Sequence, residues 1–151
     1  MLKTSEGEGF MKYNYHDALA IGEIADAHPG GFALTKEIID GERIRPGAMV
    51  LDAGCGLGQT AAYLAKKKKC QVYAVDLHPR MLQLTERRFM TEGLSGKIMK
   101  ANLEQLPFPD DYFDFIMAES VTIFTNIEQT VKEYQRVLKP SGILITLELT
   151  L

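Results

Sequence analysis

Apolar positions recur along the chain with two different periods. Between residues 15 and 27, Leu19, Ala20, Ile21, Ile24 and Ala25 form a stripe at helical spacing, which His28-Pro29-Gly30-Gly31 closes. Thr35 stands as an N-cap for a short helix carrying Ile38 and Ile39 and ending at Gly41. After the Pro46-Gly47 turn the period changes, and apolar runs of strand length alternate with longer helical patterns. Met49-Val50-Leu51 predicts a first strand entering a glycine loop, and residues 72–75 a second. A helix over residues 59–67 carries Ala61, Ala62, Leu64 and Ala65; one over 79–91 sets Leu82, Thr85 and Phe89 on one side. Residues 97–99 and 113–117 predict strands three and four. Asn126 and Gln129 hold capping-box positions for a helix with the stripe Ile127, Val131, Tyr134 and Leu138. Pro140-Ser141-Gly142 predicts a turn, and residues 143–149 the last strand. Strands alternating with helices predict an α/β fold with a mostly parallel sheet and helices on both faces. In such sheets the ligand lies outside the carboxyl ends of the strands, where strand order reverses.

Composition narrows the function classes. With 151 residues, 46% of them hydrophobic, the chain can bury roughly two thirds of its unfolded surface as a single domain. Two cysteines, Cys55 and Cys70, do not make a disulfide framework, so a reducing compartment is expected. The N-terminus lacks the basic start and apolar core of a signal peptide, and no apolar run approaches the roughly 20 residues of a membrane span. A cytoplasmic protein is the expectation. A formal net charge of -3 argues against a general nucleic-acid binder.

The chemistry gathers at the first strand's end, in Asp52-Ala53-Gly54-Cys55-Gly56-Leu57-Gly58, with a helix directly behind. Glycines there let a ligand approach the main chain with no Cβ between, and the helix start offers free N–H groups. Their spacing, at 54, 56 and 58, departs from the G-x-G-x-x-G of dinucleotide sites. Asp52 repels a diphosphate; it either faces an ammonium group, directly or through water, or orders the loop. A zwitterionic ligand is favoured, with an NAD(P)-dependent oxidoreductase as the alternative and a plain strand-to-helix turn as the structural reading. Asp76 ends the second strand at about the 20-residue spacing of a ribose contact, and it is also placed to cap the helix that Pro79 begins.

Leu51-Asp52-Ala53-Gly54-Cys55-Gly56-Leu57-Gly58 and Val75-Asp76 resemble the first two motifs of class I S-adenosylmethionine-dependent methyltransferases. The stretch from Ala101-Asn102-Leu103-Glu104 to Tyr112-Phe113-Asp114 is similar to that family's approach to its fourth strand. Arg136-Val137-Leu138-Lys139-Pro140-Ser141-Gly142 is similar to its turn into the fifth. The four motifs cover about residues 45–149, and the branch closest by pattern includes ubiquinone and menaquinone biosynthesis methyltransferases. The resemblance implies a Rossmann-like three-layer sandwich and S-adenosyl-L-methionine as cofactor. It implies that Gly54 and Gly56 hold the methionine end, with Asp52 before them and Gly58 closing the loop, and that Asp76 takes the ribose hydroxyls. Leu77 would pack on the adenine, Leu103 would offer its backbone N–H to a ring nitrogen, and Asn102 would stand where the family has an aspartate accepting from the adenine amino group. Glu119 would lie at the methionine end, on the floor of the transfer site.

The implied reaction is in-line methyl transfer to a small molecule, driven mainly by positioning. Glu119 and His28 are the two side chains placed to deprotonate an acceptor. Residues 1–45 are expected as an arm and helices capping the cofactor site, and residues 46–151 as the core. No metal site is expected, since His16, His28 and His78 have no carboxylate or cysteine at ligand spacing. Lys66 to Lys69 reads as a solvated helix end, Tyr63 and Lys67 as a coincidental Y-x-x-x-K pair, and Cys55 as a small side chain packed in the loop. The family's sheet has seven strands and only five are placed here, which reads as a C-terminally truncated form. Alternate residues 143 to 151 make one apolar face, so an exposed fifth strand is expected, and a homodimer through that edge is the alternative to truncation. A non-catalytic cofactor-binding module is the third reading.

Overall fold

Alternation along the strands decides which layer each residue serves. Leu51, Ala53, Tyr73, Val75, Ile116 and Ala118 pack into one buried cluster, while Val50, Val72, Ala74, Phe115 and Met117 pack into another on the opposite face. The computed structural model describes residues 31–148. Its five strands are β1 (Met49–Ala53), β2 (Gln71–Asp76), β3 (Lys97–Lys100), β4 (Phe113–Glu119) and β5 (Leu138–Leu147). Four helices accompany them: α1 (Gly31–Gly41), α2 (Gln59–Lys67), α3 (Pro79–Thr91) and α4 (Ile127–Val137). The order is β3-β2-β1-β4-β5, and every pairing is parallel. Ile39 of α1, Ala61 and Leu64 of α2 and Phe89 of α3 cover one face. Tyr134 and Val137 of α4 cover the other, with Leu103, Leu106 and Phe108 from the β3–β4 connection. The expected three-layer α/β sandwich is therefore present, with strand order reversing between β1 and β4.

Local signals explain most element ends. Pro79 opens α3 at its first turn, and His78 caps it by accepting the Arg80 N–H on Nδ1 at 3.2 Å. Asn126 caps α4 by accepting the Gln129 N–H at 3.1 Å, but the returning half of the capping box is absent. Glu104 supplies it instead: its carboxylate accepts the Asn126 N–H at 3.4 Å, and its carbonyl accepts from Gln129 Nε2 at 3.2 Å. Arg136 of α4 holds the β3–β4 connection in place. Its guanidinium donates to the carbonyls of Phe108 (2.7 Å) and Leu106 (3.0 Å) and to Glu133 (2.8 and 2.9 Å), whose carboxylate also accepts the Leu106 N–H at 2.8 Å.

Several expectations change. Thr35 is no N-cap: α1 already runs from Gly31, and Thr35 is fully buried in mid-helix because its hydroxyl has a partner far along the chain. The buried face of α4 is Thr130, Tyr134 and Val137, with Ile127 exposed, since Thr130 can turn inward by donating to Thr125 Oγ1 at 2.7 Å. Pro140-Ser141-Gly142 lies within β5. Phe113 pairs with Leu138 but Phe115 with Ile143, so the extra residues form a bulge, and the alternation of β4 breaks at Phe113. Glu119 is the last residue of β4 and not past it. Among the described residues β5 is an outer strand, paired with β4 alone as β3 is with β2, and Ile143 on it is exposed. Also among them, no helix is long and apolar enough to cross a membrane. The helix expected over residues 15–27, along with His16 and His28, lies outside the described residues, as do residues 149–151.

Candidate functional site

The reversal of strand order leaves a gap above the carboxyl ends of β1 and β4, and the glycine loop fills its rim. The loop backbone is left-handed at Gly54 (φ +72°), Gly56 (φ +52°) and Gly58 (φ +79°). At Gly54 this combines with a lack of space: a Cβ there would lie 2.5 Å from Val121 Cγ2. Val121 is brought against the loop by Ser120, itself left-handed (φ +51°), whose N–H donates to the Leu147 carbonyl at 2.6 Å. A non-glycine residue held in that region beside a cleft is strain of the kind that marks functional sites. Gly56 differs, because a Cβ on it would meet nothing within 4 Å. Its main chain borders open space that a ligand can enter.

A cleft of about 270 Å³ opens beside the loop. Gly54, Asp76, Leu77, Asn102 and Leu103 all line it, so five of the residues expected from the sequence converge. Asp76 is buried, and its carboxylate accepts the Gly56 N–H at 3.0 Å and the His78 N–H at 2.9 Å. It thus ties the loop to the end of β2, and the cap of α3 falls to His78. Leu77 is 55% exposed, an apolar side chain at the mouth with little else to cover it. Asn102 spends one lone pair of its amide oxygen on the Glu104 N–H at 2.9 Å, leaving one for a ligand. Val121, Phe124 and Thr125 also line it, and the sequence does not point to them. Only the topology places the segment after β4 here, and no motif marks it.

Four expected residues, Gly56 among them, are not part of this lining. Gly58 is the N-cap of α2, and a Cβ on it would lie 2.9 Å from the Thr85 side chain. Glu119 ends β4 and accepts hydroxyl bonds from Thr35 of α1 at 2.6 Å and from Thr60 of α2 at 2.5 Å. No sequence signal marks either threonine as its partner. Asp52 is 2% exposed, with Oδ2 buried and unpartnered. Burial pushes its carboxyl well above the usual range, the charges of Glu119 and Asp76 push it further, and the Ala61 N–H opposes them. Cys55 is buried in the loop, and burial with the charges of Asp52 and Asp76 drives its thiol pKa up, which disfavours the reactive thiolate. Tyr63 donates to Asp40 at 2.7 Å, which occupies the Y-x-x-x-K tyrosine elsewhere.

The donor set suits a cationic, zwitterionic ligand. The charges of Glu119 and Asp76 both act on Asp52, a concentration of negative charge that disfavours a diphosphate, and one Asp52 oxygen is buried without a partner.

Comparisons with known proteins bear on the family and the fold. Residues 51–146 match the family described as "Methyltransferase domain". The chain is 42% identical over 137 residues to the uncharacterized methyltransferase YodH of Bacillus subtilis, covering 91% of this chain and 58% of that protein. It is 38% identical over 108 residues to the ubiquinone/menaquinone biosynthesis C-methyltransferase UbiE of Laribacter hongkongensis, covering 70% of this chain and 44% of the other. The chain thus spans about half the length of these relatives. A crystal structure of a SAM-dependent methyltransferase from Aquifex aeolicus superposes with a TM-score of 0.74 at 25% identity, covering 91% of this chain and 73% of that one.

Proposed function

We propose a function from one premise: the chain belongs to the class I S-adenosylmethionine-dependent methyltransferase family. It binds S-adenosyl-L-methionine in the cleft at the glycine loop and moves the methyl group to a small molecule. The observation that carries this reading is the unpartnered, buried Asp52 oxygen beside a loop and a carboxylate that suit an amino acid and a ribose. When bound, the cofactor supplies a methyl group on a positively charged sulfur, which needs no further activation to leave.

The residues of the chain then have mainly to position and exclude water. Gly54 holds the methionine end through main-chain groups, Gly56 lets it approach with no side chain in the way, and Asp52 balances its ammonium. Asp76, oriented by two N–H groups, receives the ribose hydroxyls on its remaining lone pairs. Leu77 covers the base, with Asn102 and the Leu103 N–H on its polar edge. Glu119, fixed by hydroxyls from two helices, forms the floor at the methionine end and is the described group for accepting a proton from the acceptor. His28, the other such candidate, lies outside the described residues. The Thr35 contact supports a capping role for the segment around α1. Two free, buried thiols support a reducing, cytoplasmic setting.

Titration calorimetry tests the cofactor. S-adenosylmethionine and its demethylated product should bind, and NAD should not; NAD binding without a response to the sulfonium compound overturns the reading in favour of an oxidoreductase. A screen of small-molecule acceptors with methyl-labelled cofactor then separates an enzyme from a binding module. The outer edge of β5 supports pairing with a second copy of the chain. Light scattering should report a dimer, and a monomer at all concentrations overturns that assembly.

A further inference from the structure

Helix α3 grips the glycine loop with side chains that the proposed reaction leaves unused. Thr85, fully buried, donates its hydroxyl to the Gly56 carbonyl at 2.8 Å. That uses its one proton, so the Cys55 thiol, 3.5 Å from Thr85 Oγ1, is the donor in their contact. Three residues on along the same face, Arg88 donates Nε–H to the Leu57 carbonyl at 2.9 Å. Asp76, just before α3, takes the Gly56 N–H. Both hydrogen-bonding groups of Gly56 are thereby held from the α3 side, and the absence of a side chain on Gly58 is what lets Thr85 approach. A stretch with three glycines in five residues has more backbone freedom to lose on binding than other sequences do.

We propose that Thr85 and Arg88 are positioning residues for the cofactor: they hold residues 54–58 in the binding shape beforehand, so that binding need not order the loop. This rests on the reading of that loop as the cofactor site. Thr85 matters more, being buried, whereas the Arg88 side chain is 34% exposed and shared with Glu92 at 3.7 Å.

Hydrogen exchange of the cofactor-free chain, together with calorimetry on Thr85→Val and Thr85→Ser, tests the clamp. The Gly56 and Gly58 amides should be protected without cofactor. Thr85→Val should weaken S-adenosylhomocysteine binding about tenfold and speed that exchange, while Thr85→Ser restores both to within about twofold. A folded Thr85→Val variant with wild-type affinity and exchange overturns the proposal. So does a serine variant as defective as the valine one, which would assign the effect to packing of the methyl group. If the valine variant does not fold, wild-type loop amides that exchange as freely as an unstructured peptide overturn it on their own. A wild-type chain that binds no S-adenosylhomocysteine brings down the cofactor reading instead, while the exchange data still report whether the loop is held.

Discussion

Gly54→Val destabilises the chain by about 3 kcal/mol and weakens cofactor binding about 100-fold. Two costs add at this position. A left-handed backbone (φ +72°) costs an L-residue roughly 1–2 kcal/mol, and a β-branched side chain tolerates it least. The new Cβ would also lie 2.5 Å from Val121 Cγ2 and 2.7 Å from Val121 Cβ, and Val121, 6% exposed, has little room to retreat. Overpacking of that kind costs roughly 1–3 kcal/mol. The midpoint of thermal unfolding should fall by roughly 6–12 °C for a chain of this size. Relief comes by moving the loop, and a displacement of about 1 Å at a positioning site is enough for a 100-fold loss. Gly93→Ala is the control. Gly93 is also left-handed (φ +66°), but an added Cβ there would meet nothing within 4 Å, so the change should cost only about 1 kcal/mol and leave affinity unchanged. Melting curves and calorimetry on the two variants separate strain from collision; wild-type affinity in folded Gly54→Val removes the loop from the site.

Asp52→Asn should move stability and binding in opposite directions. The folded chain holds the Asp52 proton to higher pH than the unfolded chain, because burial first, and then Glu119 and Asp76, penalise the carboxylate. The stability associated with that proton is present in full below the ordinary carboxylate range near 3.8 and is lost as pH rises through the raised folded value. At neutral pH an ionised Asp52 is therefore a cost to the fold, and asparagine removes it. The variant should be more stable at pH 7 by about 1–3 kcal/mol, the scale of one unpartnered buried polar atom, and should lack the decline with rising pH. Binding behaves in reverse. A cationic ammonium favours the carboxylate, so wild-type affinity rises with pH across the same window and binding releases a proton. Asp52→Asn should lose that release and roughly ten- to hundredfold in affinity. Unfolding curves across pH, with calorimetry in buffers of different ionisation enthalpy, check both halves. A variant that is less stable yet binds as wild type would sink the assignment of Asp52.

The elements were legible where a local signal agreed with the tertiary structure. Pro79 fixes the start of α3, and the glycine loop with Asp76 marks the ends of β1 and β2, so the loop side of the cleft could be read from residues close in sequence. What could not be read depends on partners far apart. Thr35 looks like a cap because a buried mid-helix threonine needs an acceptor, and its acceptor, Glu119, is 84 residues away. The face of α4 is mis-assigned by an apolar stripe because Thr130 hides its hydroxyl on Thr125. Arg136 reads as one letter of a motif, while its task, holding two carbonyls of the β3–β4 connection, appears only in three dimensions. The same holds for Val121, which shapes the loop without any chemistry of its own.

The position of β1 at the middle of the sheet has a consequence for biosynthesis. Val50 pairs with Val72 on one side and with Phe115 on the other, so its second neighbour is made 43 residues after its first. At synthesis rates of about 5–20 residues per second, the strand waits roughly 2–9 s with one ladder of N–H and C=O groups open. During those seconds the future centre of the sheet is an edge, the kind of surface on which nascent chains stick to one another. The cleft lacks the wall formed by Val121, Phe124 and Thr125 until β4 and the segment after it arrive, so the edge and the unfinished cleft stay open together.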